Sequence, residues 1–228
     1  FLSLAQAYGN ERDASVWSDL ASNLRDIDHL TTDEPFYQTY RSFARNLFAP
    51  VAQEIGWDAR TGEGHLDSLL RSTVLSQAGS YDDPAVLDQA KERFARFLNN
   101  PSSLPPDLRG VVYSLISHSG ESADYDKLWD MERQADLQEE KMRLLLSIAR
   151  FKQPELLQET LERALTPEVR SQDAITVVTA VAANVHGREL AWQFVQDQWE
   201  EFDRRYGGGG FGLMRLVSVS GNFASEER

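Results

Sequence analysis

At 228 residues and 25.8 kDa the chain is long enough for one large domain, and with no stretch near the roughly 18 apolar residues that cross a bilayer, membrane spanning is excluded. Thirty-six acidic against 23 basic side chains give a formal charge of −13, which opposes the phosphate neutralisation that drives nucleic-acid binding, so no nucleic-acid partner is expected. The absence of cysteine rules out disulfides, thiolate zinc sites, iron–sulfur clusters and a cysteine nucleophile, and is compatible with a cytoplasmic location.

Helical periodicity runs from end to end. Val16, Leu20, Leu24, Ile27 and Leu30 form one apolar face, opened by Asp13 or Ser15 as an N-cap. Phe36 to Ile55 carries a second pattern, which Pro50 should kink or split because proline removes a backbone hydrogen bond and crowds the preceding turn. Leu66, Leu69, Leu70, Val74 and Leu75 make a third face. On it Asp67 and Arg71, four residues apart in the favourable acid-before-base order, are assigned a structural role.

Asn99 to Pro106 is the best linker candidate, but it is short enough to serve as a turn between helix pairs. Thr176 to Val185 is the one β-branched run. It has no partner strand and continues the spacing of Ile175, Val178 and Val181, so a buried helix is expected. Leu190, Phe194, Val195, Trp199, Phe202 and Tyr206 predict one long amphipathic helix. Prolines 35, 84, 154 and 167 stand where helices should begin. Phe1 is not an initiator methionine, and Phe223 to Arg228 is a polar run without a packing pattern, so both ends are expected to be truncated relative to a parent protein.

Roughly ten short helices joined by short turns predict an all-α fold, an irregular HEAT-like α-solenoid of antiparallel helix pairs forming a single domain over residues 1–228. A compact helical bundle is the alternative.

Little catalytic chemistry is legible. The four histidines, His29, His65, His118 and His186, have no mutual helical spacing, so no metal site is expected. Ser117-His118-Ser119 and Ser218 to Ser220 lie outside any strand–turn–helix setting, which argues against a serine hydrolase. Gly207 to Gly210 lacks a following Lys-Ser or Lys-Thr and follows a helix, so it reads as a flexible loop and not a phosphate cradle. Arg150 follows the apolar stretch Leu144 to Ala149, and Arg215 interrupts Phe211 to Val217. Each guanidinium either points into a concavity to bind a carboxylate bidentately or snorkels to the rim.

Five ordered strings carry a resemblance: Val16-Trp17-Ser18-Asp19-Leu20 with Asn23-Leu24; Gly56-Trp57-Asp58; Gly62-Glu63-Gly64-His65-Leu66-Asp67 with Leu69-Leu70-Arg71; Gln134-Ala135-Asp136 with Gln138-Glu139-Glu140-Lys141; and Ala191-Trp192 with Phe194. In order and spacing the chain resembles the C-terminal helical domain of the zinc aminopeptidases of the puromycin-sensitive type. The resemblance implies a HEAT-like bowl over a catalytic domain of the same polypeptide, enclosing a cavity for peptide substrate. It also implies that the fragment is non-catalytic, since the family's His-Glu-x-x-His and Gly-Ala-Met-Glu-Asn motifs are absent, and that zinc belongs to the parent's catalytic domain. Arg215 first and Arg150 second are then the expected substrate-facing residues. The alternative is a free-standing α-solenoid that binds a partner protein on its concave face.

Overall fold

The computed structural model describes residues 1–223; of the terminal polar run, residues 224–228 lie outside the described residues. Among the described residues there are thirteen α-helices, two short 3₁₀ turns and no strand. The chain divides into two units, residues 1–116 and residues 117 onward, with the division falling within one helix.

The first unit holds α1 (Leu2–Gln6), α2 (Ala14–Thr31), α3 (Tyr37–Ile55), α4 (His65–Ser80), α5 (Pro84–Asn99) and most of α6 (Pro106–Ser119). Helix α2 starts where expected, because the Asp13 carboxylate accepts from the N–H groups of Ser15 and Val16. Its buried face is Trp17, Leu20 and Leu24, while Leu30 is 63% exposed. The Trp17 ring is fully buried in that face, and its Nε1–H is satisfied by the Glu11 carbonyl at 2.9 Å. Helices α2, α3 and α4 pack against one another around a ladder of rings. Trp17 meets Phe48 at 5.4 Å, Phe48 stacks on Tyr81 at 6.2 Å, and Tyr81 meets the edge of Tyr40 at 6.3 Å. Burial pushes the Tyr40 phenol up to about 12, so it remains a neutral donor to the Leu24 carbonyl.

Pro50 does not split its helix, since α3 continues from Tyr37 to Ile55 with Pro50 inside. The carbonyl that loses its partner belongs to Asn46, and both residues are exposed, so that carbonyl lies on the solvent side of the helix. On α4 the predicted face is half right. Leu70, Val74 and Leu75 are buried, but Leu66 and Leu69 are 65% and 45% exposed, and the inward position goes to Arg71.

The second unit holds α7 (Ser122–Gln134), α8 (Gln138–Ile148), α9 (Pro154–Ala164), α10 (Ser171–Ala182), α11 (Arg188–Asp197), α12 (Trp199–Tyr206) and α13 (Gly212–Val217). The β-branched run is the helix α10, and it packs against α8, α9, α11 and α13. Burial on several sides explains its near-continuous apolar sequence, with Ala174, Val177, Val178, Val181 and Ala182 all at 0% exposure.

The single helix expected from Leu190 to Tyr206 is two, α11 and α12, broken at Gln198 (φ −102°, ψ 15°). The Gln198 N–H still bonds the Phe194 carbonyl and the Phe202 N–H the Gln198 carbonyl, so the axis turns without leaving the backbone unsatisfied. Phe202 thereby meets Phe194 edge-on at 6.1 Å, and Trp199 is left 39% exposed. Of the four prolines, Pro84 and Pro154 open α5 and α9, whereas Pro35 and Pro167 occupy the turns that precede α3 and α10.

Candidate functional site

The residues singled out from sequence lie in three places. The first is the α3–α4 loop. The Arg71 side chain is 4% exposed and reaches back out of α4, its Nε–H donating to the Gly56 carbonyl at 3.0 Å and Nη2 to Glu63 at 2.6 Å. Arg71 therefore pairs with Glu63, not with Asp67 on its own helix. Asp67 instead accepts from the Gly64 N–H at 2.8 Å, closing the first turn of α4. Arg93 of α5 grips the same loop from the other side, with Nη1 and Nη2 at 3.0 and 2.7 Å from the Asp58 carboxylate and the guanidinium over the Trp57 ring. Gly56 (φ 65°) makes the turn that lets its carbonyl meet Arg71.

The Arg71 hydrogen bond holds the Glu63 carboxyl below its usual value, and the Arg93 bond does the same for Asp58. Since the folded-state values are depressed, the unfolded chain takes up protons first as pH falls. Glu63→Gln should therefore destabilise the chain at neutral pH. The difference from the parent should be complete above about pH 4.5, the ordinary glutamate range, and shrink to nothing as pH drops through the folded value. Urea midpoints of both proteins from pH 7 to pH 2 check this, and a difference that persists at pH 2 would refute the linkage.

The second place is one end of the second unit, where three loops are tied together. The Asn184 amide donates to the carbonyls of Ala149 and Phe151 at 3.0 and 2.7 Å, fixing the backbone on both sides of Arg150. The Gln153 amide donates to the Gly120 carbonyl at 3.0 Å, and Lys152 Nζ lies 3.3 Å from His118 Nε2. Arg150, Lys152 and His186 are exposed at this end, and Glu121 and Glu189 are the carboxylates on the same loops. Next along the chain, Arg188 opens α11 and is 93% buried at 7% exposure.

The third place is α13 with the glycine loop before it. Gly209 and Gly210 adopt φ of 128° and 101°, a region closed to most side chains, and the loop delivers Gly212 against Ile175 of α10. Arg215 is exposed in the last turn of α13, beside the exposed Phe211, Met214 and Val217. Arg215 and Arg150 lie on separate elements, α13 and the loop between α8 and α9. Gly212 of α13 meets Ile175 of α10, while the loop of Arg150 is tied to Asn184, just beyond the end of α10.

An open depression of about 400 Å³ at the α11–α12 break is lined by Asp197, Gln198, Glu200, Glu201 and Arg204. Part of its negative charge is offset by Arg204 and Arg205, whose hydrogen bonds to Glu201 pull that carboxyl down to about 2 and keep it ionised. Among the described residues no group of three or more His, Asp or Glu side chains is placed to hold a metal ion.

Sequence reasoning missed Arg188, Asn184, Glu63 and Arg93. Only Arg188 leaves a local signal, the Gly187-Arg188 pair at a helix start, and even that does not reveal burial.

Comparison with known proteins supplies what the geometry alone does not. The model of the ERAP1-like C-terminal domain family matches residues 1–228. The chain is 34% identical to aminopeptidase M1 of Arabidopsis thaliana over its whole length, covering 26% of that protein. It is 35% identical to aminopeptidase M1-A of Oryza sativa subsp. japonica over 74% of the chain and 20% of the relative. Aminopeptidase A of Gloydius brevicauda matches at 32% over 99% of the chain and 24% of its own length. The chain thus spans about a quarter of the length of these curated relatives.

Proposed function

The chain belongs to the ERAP1-like C-terminal domain family, and from that premise we propose that it is the non-catalytic C-terminal lid of a zinc-dependent aminopeptidase. The observation that carries this reading is a family match over all 228 residues in a chain that covers only about a quarter of its aminopeptidase relatives. In the parent polypeptide the lid packs with a catalytic domain, encloses the cavity and contacts the peptide. In this reading the zinc is held by the catalytic domain of the parent polypeptide, and no chemical step is assigned to the residues of this chain. The match across residues 1–228 also supports reading the chain as one helical domain. Within each unit helices mostly pack against the next one or two in sequence, which favours HEAT-like stacking of helix pairs over a bundle.

Arg215 is the first choice for peptide contact. It is exposed, and among the described residues its guanidinium makes no hydrogen bond or ion pair, so its rigid donor fork is available to a backbone carbonyl or carboxylate of the peptide. Arg150 is the second choice, held on a loop that Asn184 fixes.

In the full-length parent, Arg215→Ala should lower kcat/KM for peptides by roughly five- to thirty-fold, about 1–2 kcal/mol, with unchanged circular dichroism. Equal kinetics for a folded variant across several peptides would leave the lid with a steric role only. An open reading frame without His-Glu-x-x-His upstream of Phe1 would overturn the lid reading altogether.

A further inference from the structure

We propose that Arg188 is the buried half of a carboxylate-binding site, receiving a carboxylate that comes from outside the described residues. The side chain is 7% exposed, and its Nε and Nη2 are both buried without a hydrogen-bond acceptor among the described residues. Those two nitrogens form one edge of the guanidinium, the side-on fork that a carboxylate accepts with both oxygens. The same chain shows this edge satisfied elsewhere. Arg204 donates from Nε and Nη2 to the two oxygens of Glu201 at 2.7 and 2.6 Å, but does so at the surface, with its side chain 69% exposed. Arg188 presents the same edge where water is largely excluded, so the cost of removing the cation from solvent is offset only when an anion meets it.

The backbone around Arg188 suits an anion. Arg188 is the first residue of the ten-residue α11, whose N-cap Gly187 contributes no capping side chain, so the partial positive charge of the helix start adds to that of the guanidinium. Gly187 is required there, because a Cβ would lie 2.6 Å from the Val181 carbonyl oxygen. That close approach fixes the start of α11 against the end of α10. Asn184, three residues before Gly187, ties this segment to the loop of Arg150 and Lys152, and Lys152 reaches His118. In a chain of net charge −13, the loops at this end carry the exposed Arg150 and Lys152 together with the exposed Glu121 and Glu189.

The inference stands apart from the lid reading. The carboxylate comes either from a soluble ligand or from another part of the parent polypeptide. The test follows thermal unfolding of the 228-residue chain in sodium acetate against sodium chloride at equal ionic strength, for the parent sequence, Arg188→Met and Arg188→Lys.

Acetate should raise the parent midpoint beyond chloride in a concentration-dependent way, and Arg188→Met should abolish the response. Arg188→Lys keeps the charge without the fork and should need at least tenfold more acetate for the same shift. Without acetate, Arg188→Met should unfold at the parent midpoint or above it, since it removes a buried charge whose Nε and Nη2 have no acceptor among the described residues. If Arg188→Met does not fold, Arg188→Lys alone decides through its acetate dependence. The proposal fails if the parent shows no acetate-specific shift, or if Arg188→Lys responds as the parent does.

The full-length parent separates the two sources. An acetate response there as well assigns the site to a soluble ligand, and a response confined to the 228-residue chain assigns it to an internal carboxylate. A parent without aminopeptidase activity would sink the lid reading and leave these outcomes untouched.

Discussion

Arg71→Ala is expected to destabilise the chain by about 3–4 kcal/mol, within the range for breaking a buried ion pair by removing one partner. For a domain of this size that lowers the thermal midpoint by roughly 6–15 °C. The loss has three sources. The Gly56 carbonyl, next to the C-terminus of α3, loses the donor at 3.0 Å, the Glu63 carboxylate loses its partner at 2.6 Å, and a side chain 4% exposed is replaced by a cavity. Arg71→Lys should recover only part of the loss, because one ammonium cannot reach the carbonyl and the carboxylate with the geometry of a planar fork. Differential scanning calorimetry of the three proteins checks the order parent, lysine, alanine. An alanine variant with the parent midpoint would mean that the α3–α4 loop holds itself and that Arg71 is available to a ligand.

Asn184→Ala should cost about 3 kcal/mol, from the loss of two donated bonds and one accepted bond in a partly buried loop. The side chain donates to Ala149 and Phe151, whose residues are fully buried, and accepts from the His186 N–H at 3.0 Å. Two carbonyls are then left short of donors. The consequence extends to function, since the same three bonds hold the loop of Arg150 and the approach to Arg188. Hydrogen exchange should rise at residues 149–152 and 184–188 while the α2–α4 core stays protected. Uniform exchange across the chain, or no change at those loops, would remove Asn184 as the tie between them.

How far the sequence could be read differs from element to element. Helix α2 was legible to its N-cap because the signals, Asp13 and a 3.6-residue apolar period, are local. Helix α10 was legible as a helix despite its β-branched run, since a lone strand would have had no partner. The α11–α12 break was not legible. The apolar period continues from Phe194 to Phe202 on both sides of Gln198, and a turn of the axis that keeps backbone bonding leaves no mark in composition. Asp67 and Arg71 show the same limit. Helical spacing alone favours their pairing, yet a loop closing from outside the helix offers Arg71 a better acceptor in Glu63 and leaves Asp67 to the helix start.

By itself the sequence determined the all-helical class, the positions of most helices and turns, and the family resemblance that the comparisons bear out. These depend on residues near one another in the chain, where spacing, caps and motif order are preserved in one dimension. Only the tertiary structure decided which charged residues turn inward, that Arg71 meets Glu63, that Asn184 ties the loop of Arg150, and that Arg188 is buried with one edge lacking an acceptor among the described residues. The reason is physical: a cation's burial and partner depend on the elements packed around it, and those contacts join residues that no local period relates.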